Sequence, residues 1–242
     1  MALRKVRVQM FTKCDKQKFI ESVKTSLEKR QSILTHGMSL SDACTYAYLD
    51  LSRTPLRGIR SYHASSSSTA VRTQCIEDII LPFCRSTLFS AQRKIQFDQA
   101  HQELYTKIRD FYTQQGYPFF TVGKTQKWIN MALKYACIYD KEDADALCKI
   151  FPYCHLPIDR YIATPLVNEL HVKLPAYDGF KMPKRVPFNA NKHNYAWSKI
   201  DSYPEYLACQ NAIREALHNS NSEQCALEWE FDWWLKEKRK HI

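Results

Sequence analysis

The sequence predicts an all-α protein, and three observations carry that expectation. Glycine is scarce, at 5 of 242 residues, which leaves little material for tight hairpins or a glycine-rich phosphate loop. Apolar residues recur at helical spacing in one segment after another, with little period-two alternation. The apolar share is 45%, enough to build a core. A chain of this length suits one large domain or two small ones. The helices are expected to form a single domain with two lobes, about 1–115 and 116–242.

Phe19, Val23, Leu27 and Ile33 or Leu34 repeat at helical steps, predicting an amphipathic helix over Asp15–Leu34. Ser39 or Ser41 caps the next helix, whose stripe is Ala43, Tyr46, Ala47 and Leu51. Arg53–Arg60 reads as a basic loop, and the serine run Ser65–Ser68 as an exposed one. Arg57, Arg60 and Arg72 flank that run; they hold phosphates or simply solvate a linker. Helices follow over Glu77–Leu88 and Ala91–Thr113, the second closed by Gly116 and Pro118.

The next helix spans Val122–Tyr139. Ile129, Leu133 and Ala136 mark its buried side, while Lys124, Lys127, Met131 and Lys134 share another face at steps of 3, 4 and 3. A short helix over Asp140–Phe151 has Asp140 at its cap, and Asp159 begins another. Leu174–Asn194, with three prolines, is an irregular excursion. Tyr203–His218 and Ser222–Lys238 are the last helices. The aromatic run Trp229–Trp234 is placed to clamp the C-terminus on the core.

Lys and Arg number 35 against 25 Asp and Glu, a formal charge of +10 that favours a polyanionic partner, nucleic acid first. There is no long apolar run for a membrane, and the N-terminal Met1–Arg7 lacks the apolar core of a signal peptide. Nine cysteines without a C-x-x-C pattern read as reduced thiols of a cytoplasmic protein. Cys148, Cys154 and His155 lie close together but match no usual zinc spacing, so no metal is expected.

Two residues carry chemistry. Lys127 lies in Gly123-Lys124-Thr125-Gln126-Lys127, at the head of its helix; Asp159 lies in Leu156-Pro157-Ile158-Asp159, 32 residues on. Cleaving an N-glycosidic bond builds positive charge on the sugar, which a carboxylate stabilises. A lysine amine can capture the sugar carbon as a Schiff base once its proton has been removed, by burial, by neighbouring cations or by the carboxylate itself. Lys124 and Lys134 are the candidate cations. A stacked base must be flipped out and held by aromatic groups, and 14 Tyr, 12 Phe and 5 Trp supply them. Taken singly, each residue also has an ordinary role: a solvated lysine and a helix-capping aspartate.

The two motifs resemble those of the helix-hairpin-helix (HhH-GPD) DNA glycosylases. The 32-residue separation is most similar to the archaeal AGOG-type 8-oxoguanine DNA glycosylases. The resemblance covers Thr121–Tyr161, about a sixth of the chain. It implies a two-lobed helical fold with the active site in the cleft between lobes. It also implies double-stranded DNA as partner, a monomeric enzyme, Lys127 as Schiff-base nucleophile and Asp159 as the essential carboxylate. The usual Leu-Pro-Gly-Val-Gly hairpin is replaced by Gly116–Gly123, and the four-cysteine iron–sulfur motif of some relatives is missing, so no cofactor is expected. Gln126 and Asn130 are candidates for base or backbone contacts, and Arg160 for a phosphate or a surface carboxylate. Trp197 either covers the pocket or sits in the core. The substrate would be 8-oxoguanine, or a modified base of phage DNA in a defence role. The alternative is a helical nucleic-acid-binding protein without catalysis.

Overall fold

A computed structural model describes residues 32–33, 35–52, 68–117, 120–139, 142–176, 195–220 and 222–239. Most of the expected helix over Asp15–Leu34, the basic loop with Arg57 and Arg60, Asp140 and most of the proline-rich excursion lie outside them. Among the described residues all regular structure is helical: α1 (Leu40–Ser52), α2 (Ser68–Cys75), α3 (Leu81–Ser86), α4 (Lys94–Gln114), α5 (Val122–Tyr139), α6 (Ala144–Ile150), α7 (Arg160–Asn168), α8 (Tyr203–Asn219) and α9 (Ala226–Arg239). None of them is long and apolar enough to cross a membrane.

Local chemistry sets the ends. Ser39 and Asp42 form a reciprocal cap on α1: Ser39 Oγ accepts from the Asp42 N–H, and the Asp42 carboxylate accepts from the Ser39 N–H. α4 ends where Gly116 takes a φ of 82°, a conformation glycine adopts without a Cβ penalty. α2 begins at Ser68, nine residues before the expected start at Glu77, because Val71 and Cys75 extend the apolar stripe backwards. It runs through a π-helical turn, Ile76–Ile80, into α3. Pro82 explains that turn: it lacks an N–H and its ring crowds the carbonyl four residues back, so the preceding turn widens. α6 is also shorter than expected. It starts at Ala144, and a 3-10 turn over Phe151–Tyr153 follows it.

α5 is the central element, and its surroundings differ from the amphipathic pattern. Every residue of α5 except Lys127 is buried. One side packs on α1, where the fully buried Trp128 donates its indole N–H to the Cys44 carbonyl. Tyr112, Tyr117, Phe120 and Trp128 form an aromatic cluster at the α4–α5 connection. The side bearing lysines and amides is buried too, apart from Lys127, since partners elsewhere in the chain meet its polar groups.

The buried apolar residues fall into two clusters. The first holds residues of α1–α6 with Leu227 and Phe231 of α9. The second is built mainly from Leu156 to Leu217, with Ala226 and Trp229 of α9. The two clusters part near residue 155, and α5 contributes most of its apolar side chains to the first. Trp197 and Trp234 pack against both.

Candidate active site

The site is built on the first two turns of α5. Thr121 Oγ1 accepts from the Lys124 N–H and donates to the Ser198 carbonyl at 2.6 Å. The Gly123 N–H donates to the Ile200 carbonyl at 2.8 Å. A Cβ on Gly123 would lie 1.9 Å from the Trp197 carbonyl oxygen, so only glycine lets the Trp197–Lys199 turn sit this close to the helix. That docking places the Trp197 ring over Lys127, with Nζ 4.7 Å from the ring centroid.

Asp159 is the N-cap of α7. One carboxylate oxygen, Oδ1, accepts from the N–H groups of Tyr161 (2.8 Å) and Ile162 (3.2 Å). The other, Oδ2, accepts from Lys127 Nζ at 2.7 Å. The side chains are 11% and 6% exposed, so the pair is shielded but reachable. Burial pushes the Asp159 carboxyl up, but the Lys127 ammonium and the two N–H groups outweigh it and hold the group below the usual carboxylate range.

A second ion pair lies deeper. Lys134 Nζ donates to both oxygens of Glu230 on α9, at 3.0 and 2.7 Å, and both side chains are buried. Phe231 and Trp234 flank the ammonium, with ring centroids at 5.6 and 4.8 Å. Burial, offset in part by Lys134, leaves Glu230 above its ordinary range; Asp159 also pushes it up and Lys127 pulls it down, so the two pairs feel one another.

Beneath the site runs a buried polar network. Asp98 on α4 is bound by Arg214, Lys94 and His155. His155 Nε2 meets Asp98 at 2.9 Å and Nδ1 meets the Tyr206 hydroxyl at 2.8 Å. Because the carboxylate only accepts, His155 donates from Nε2, and a neutral ring then accepts the Tyr206 O–H at Nδ1. Asn130 Nδ2 donates to the Tyr206 hydroxyl, and Asn130 Oδ1 accepts from His101 Nε2. Burial lowers the His155 pKa to about 4 despite Asp98, and lowers His101 well below its ordinary value.

No family model, curated protein or solved structure matches the chain. The structure therefore tests the expected residues by placement alone. It brings together Lys127, Asp159 and Trp197. Arg160 is exposed beside Asp159, its guanidinium bonded to and stacked on Tyr161. Lys124 is buried, which lowers its pKa, with Asp201 opposing.

Gln126, Asn130 and Lys134, candidates for contacts to base or DNA, are all buried, with polar atoms bonded inside the protein. Lys134 is not an unbalanced cation acting on Lys127, since Glu230 matches its charge. Arg57 and Arg60 lie outside the described residues. Cys154 is buried, and His155 spends both ring nitrogens on protein partners.

Sequence reasoning missed Glu230, Asp98 and His101. Glu230 had a signal: it lies in the apolar stripe Leu227, Phe231 and Trp234 at helical steps, where a carboxylate needs a buried partner.

Proposed function

We propose that the protein is a DNA glycosylase that flips out a damaged or modified base and excises it, with Lys127 as the capturing amine and Asp159 as the carboxylate. The observation that carries this reading is the contact of Lys127 Nζ with Asp159 Oδ2 at 2.7 Å, beneath Trp197, in a chain of formal charge +10. As the glycosidic bond lengthens, positive charge grows on the sugar. A carboxylate pinned by the α7 N–H groups meets that charge without reorganising. Lys127 attacks C1′ and passes the proton it sheds in forming that bond to Asp159 Oδ2. The N–C1′ bond forms as the bond to the base breaks, and that electron pair leaves with the base, which takes up a proton from water. Ring opening then gives the Schiff base from which an abasic-site lyase cuts the strand. In this reading Arg160, exposed at the first turn of α7, holds a phosphate beside the flipped nucleotide.

The base is 8-oxoguanine if the resemblance extends to substrate, or a modified base of phage DNA if the protein serves defence. Mass spectrometry of bases released from 8-oxoguanine duplex and from phage DNA separates these. The proposal expects one of them to be released by the wild type and by neither DNA with Asp159→Asn. Release of no base from any modified DNA by the wild type would overturn the enzymatic reading.

One observation favours a second reading. Asp159 already has a structural task as cap and ion-pair partner, which suits a helical nucleic-acid-binding protein without catalysis. That reading predicts salt-dependent DNA binding that Asp159→Asn leaves intact, and no base release.

A further inference from the structure

Residues Leu156–Ile158, which lead into Asp159, are gripped by two buried glutamines. From α5, Gln126 Nε2 donates to the Ile158 carbonyl at 2.9 Å and Gln126 Oε1 accepts from the Ile158 N–H at 3.2 Å. From α8, Gln210 does the same to Leu156, at 2.9 and 3.2 Å. Pro157, between them, has no N–H to satisfy. The remaining capacity of the Gln126 amide is also used: Nε2 donates to the Gly123 carbonyl at 3.1 Å, and Oε1 accepts from Asn130 Nδ2 at 3.1 Å. With two donors and two acceptor sites filled, neither a carboxylate nor a flipped amide fits the same partners.

We infer that Gln126 is a positioning residue whose amide grip on Ile158 sets Asp159 against Lys127. Gln126 precedes Lys127 in the chain, and Ile158 precedes Asp159. The neighbours of the two reacting groups are thus tied directly to each other across a 32-residue separation. Gln210 grips three residues before Asp159 and comes from α8, which bears neither member of the pair. It therefore serves as an internal control with the same chemistry and burial. The inference rests on the reading of Lys127 and Asp159 as the reacting pair.

Gln126→Met and Gln210→Met, made in the full chain, test it with two readouts. The first needs no activity: the 13Cγ signal of Asp159, assigned through Asp159→Asn, is followed against pH. Gln126→Met should move the Asp159 midpoint upward, as its cationic partner is loosened, while Gln210→Met leaves it in place. The second is single-turnover borohydride trapping on duplex DNA with an abasic site. Gln126→Met should slow trapping by about tenfold to a hundredfold at unchanged DNA affinity, a size known for small misplacements of reacting groups. Gln210→Met should trap at the wild-type rate. If Gln126→Met does not fold, Gln126→Asn keeps an amide but is too short to reach Ile158, and gives the same two readouts.

An unmoved Asp159 midpoint in the Gln126 variant, or equal effects of the two glutamines, overturns the inference. Failure of the wild type to trap removes the lyase reading instead, and the carboxyl titration still decides whether Gln126 positions Asp159.

Discussion

Asp159 serves Lys127 with one oxygen and two N–H groups of α7 with the other, which makes its roles separable by substitution. Asp159→Asn keeps an oxygen for the Tyr161 and Ile162 N–H groups but removes the charge facing Lys127. Asp159→Ala removes both. The Ala variant should be less stable than the Asn variant by about 1 kcal/mol, the ordinary worth of a cap, as read by urea denaturation, while both abolish base release. Lys134 is a different case. Its pair with Glu230 is buried, so Lys134→Met strands a carboxylate and should cost about 3–5 kcal/mol. Lys134→Met with Glu230→Leu should recover most of that loss in the same denaturation experiment, because two apolar side chains leave nothing unpaired.

The elements around the site depend on close approach and on hydrogen-bond polarity. Gly123→Ala would press a Cβ on the Trp197 carbonyl, so the Trp197–Lys199 turn must lift from α5. The expected result is a loss of about 1–3 kcal/mol and a changed tryptophan emission, since Trp197 would leave the Lys127 ammonium. The α4–α8 network predicts an acid limb. His155 binds its proton with a pKa of about 4 when folded and near 6.5 when unfolded. A lowered histidine value means the unfolded chain takes up the proton first, so stability is full above pH 6.5 and falls as pH drops towards 4. The slope is at most about 1.4 kcal/mol per pH unit from this group. Asp98, also lowered by His155 and Arg214 against burial, adds to the loss at more acidic pH. Denaturation from pH 7 to 4 should show the limb, and His155→Gln should make it shallower between 6.5 and 4, with His101, also lowered by burial, supplying the rest.

At the scale of the whole molecule, much of the helical order was legible because it rests on local signals. Val122–Tyr139 was readable to both ends from its apolar period, and Asp159 from its capping chemistry. The environment of α5 was not. Lysines and amides at helical spacing look the same whether they face water or a buried carboxylate supplied 96 residues later. Contacts at such separations leave no mark on α5 itself, and for that reason Gln126, Asn130 and Lys134 read as candidate nucleic-acid contacts. The early start of α2 was hidden by a serine run that normally marks a loop.

The formal charge of +10 predicts DNA affinity that falls steeply between 50 and 200 mM salt. Such binding alone is common to both functional readings, so it decides little between them. The decisive measurement is covalent capture: the full chain, duplex DNA with an abasic site, and borohydride. A trapped protein–DNA adduct whose modified residue maps to Lys127, and which disappears in Lys127→Ala, is the predicted result. An adduct at another amine, or none from the folded wild type, would contradict the assignment of Lys127 as the nucleophile.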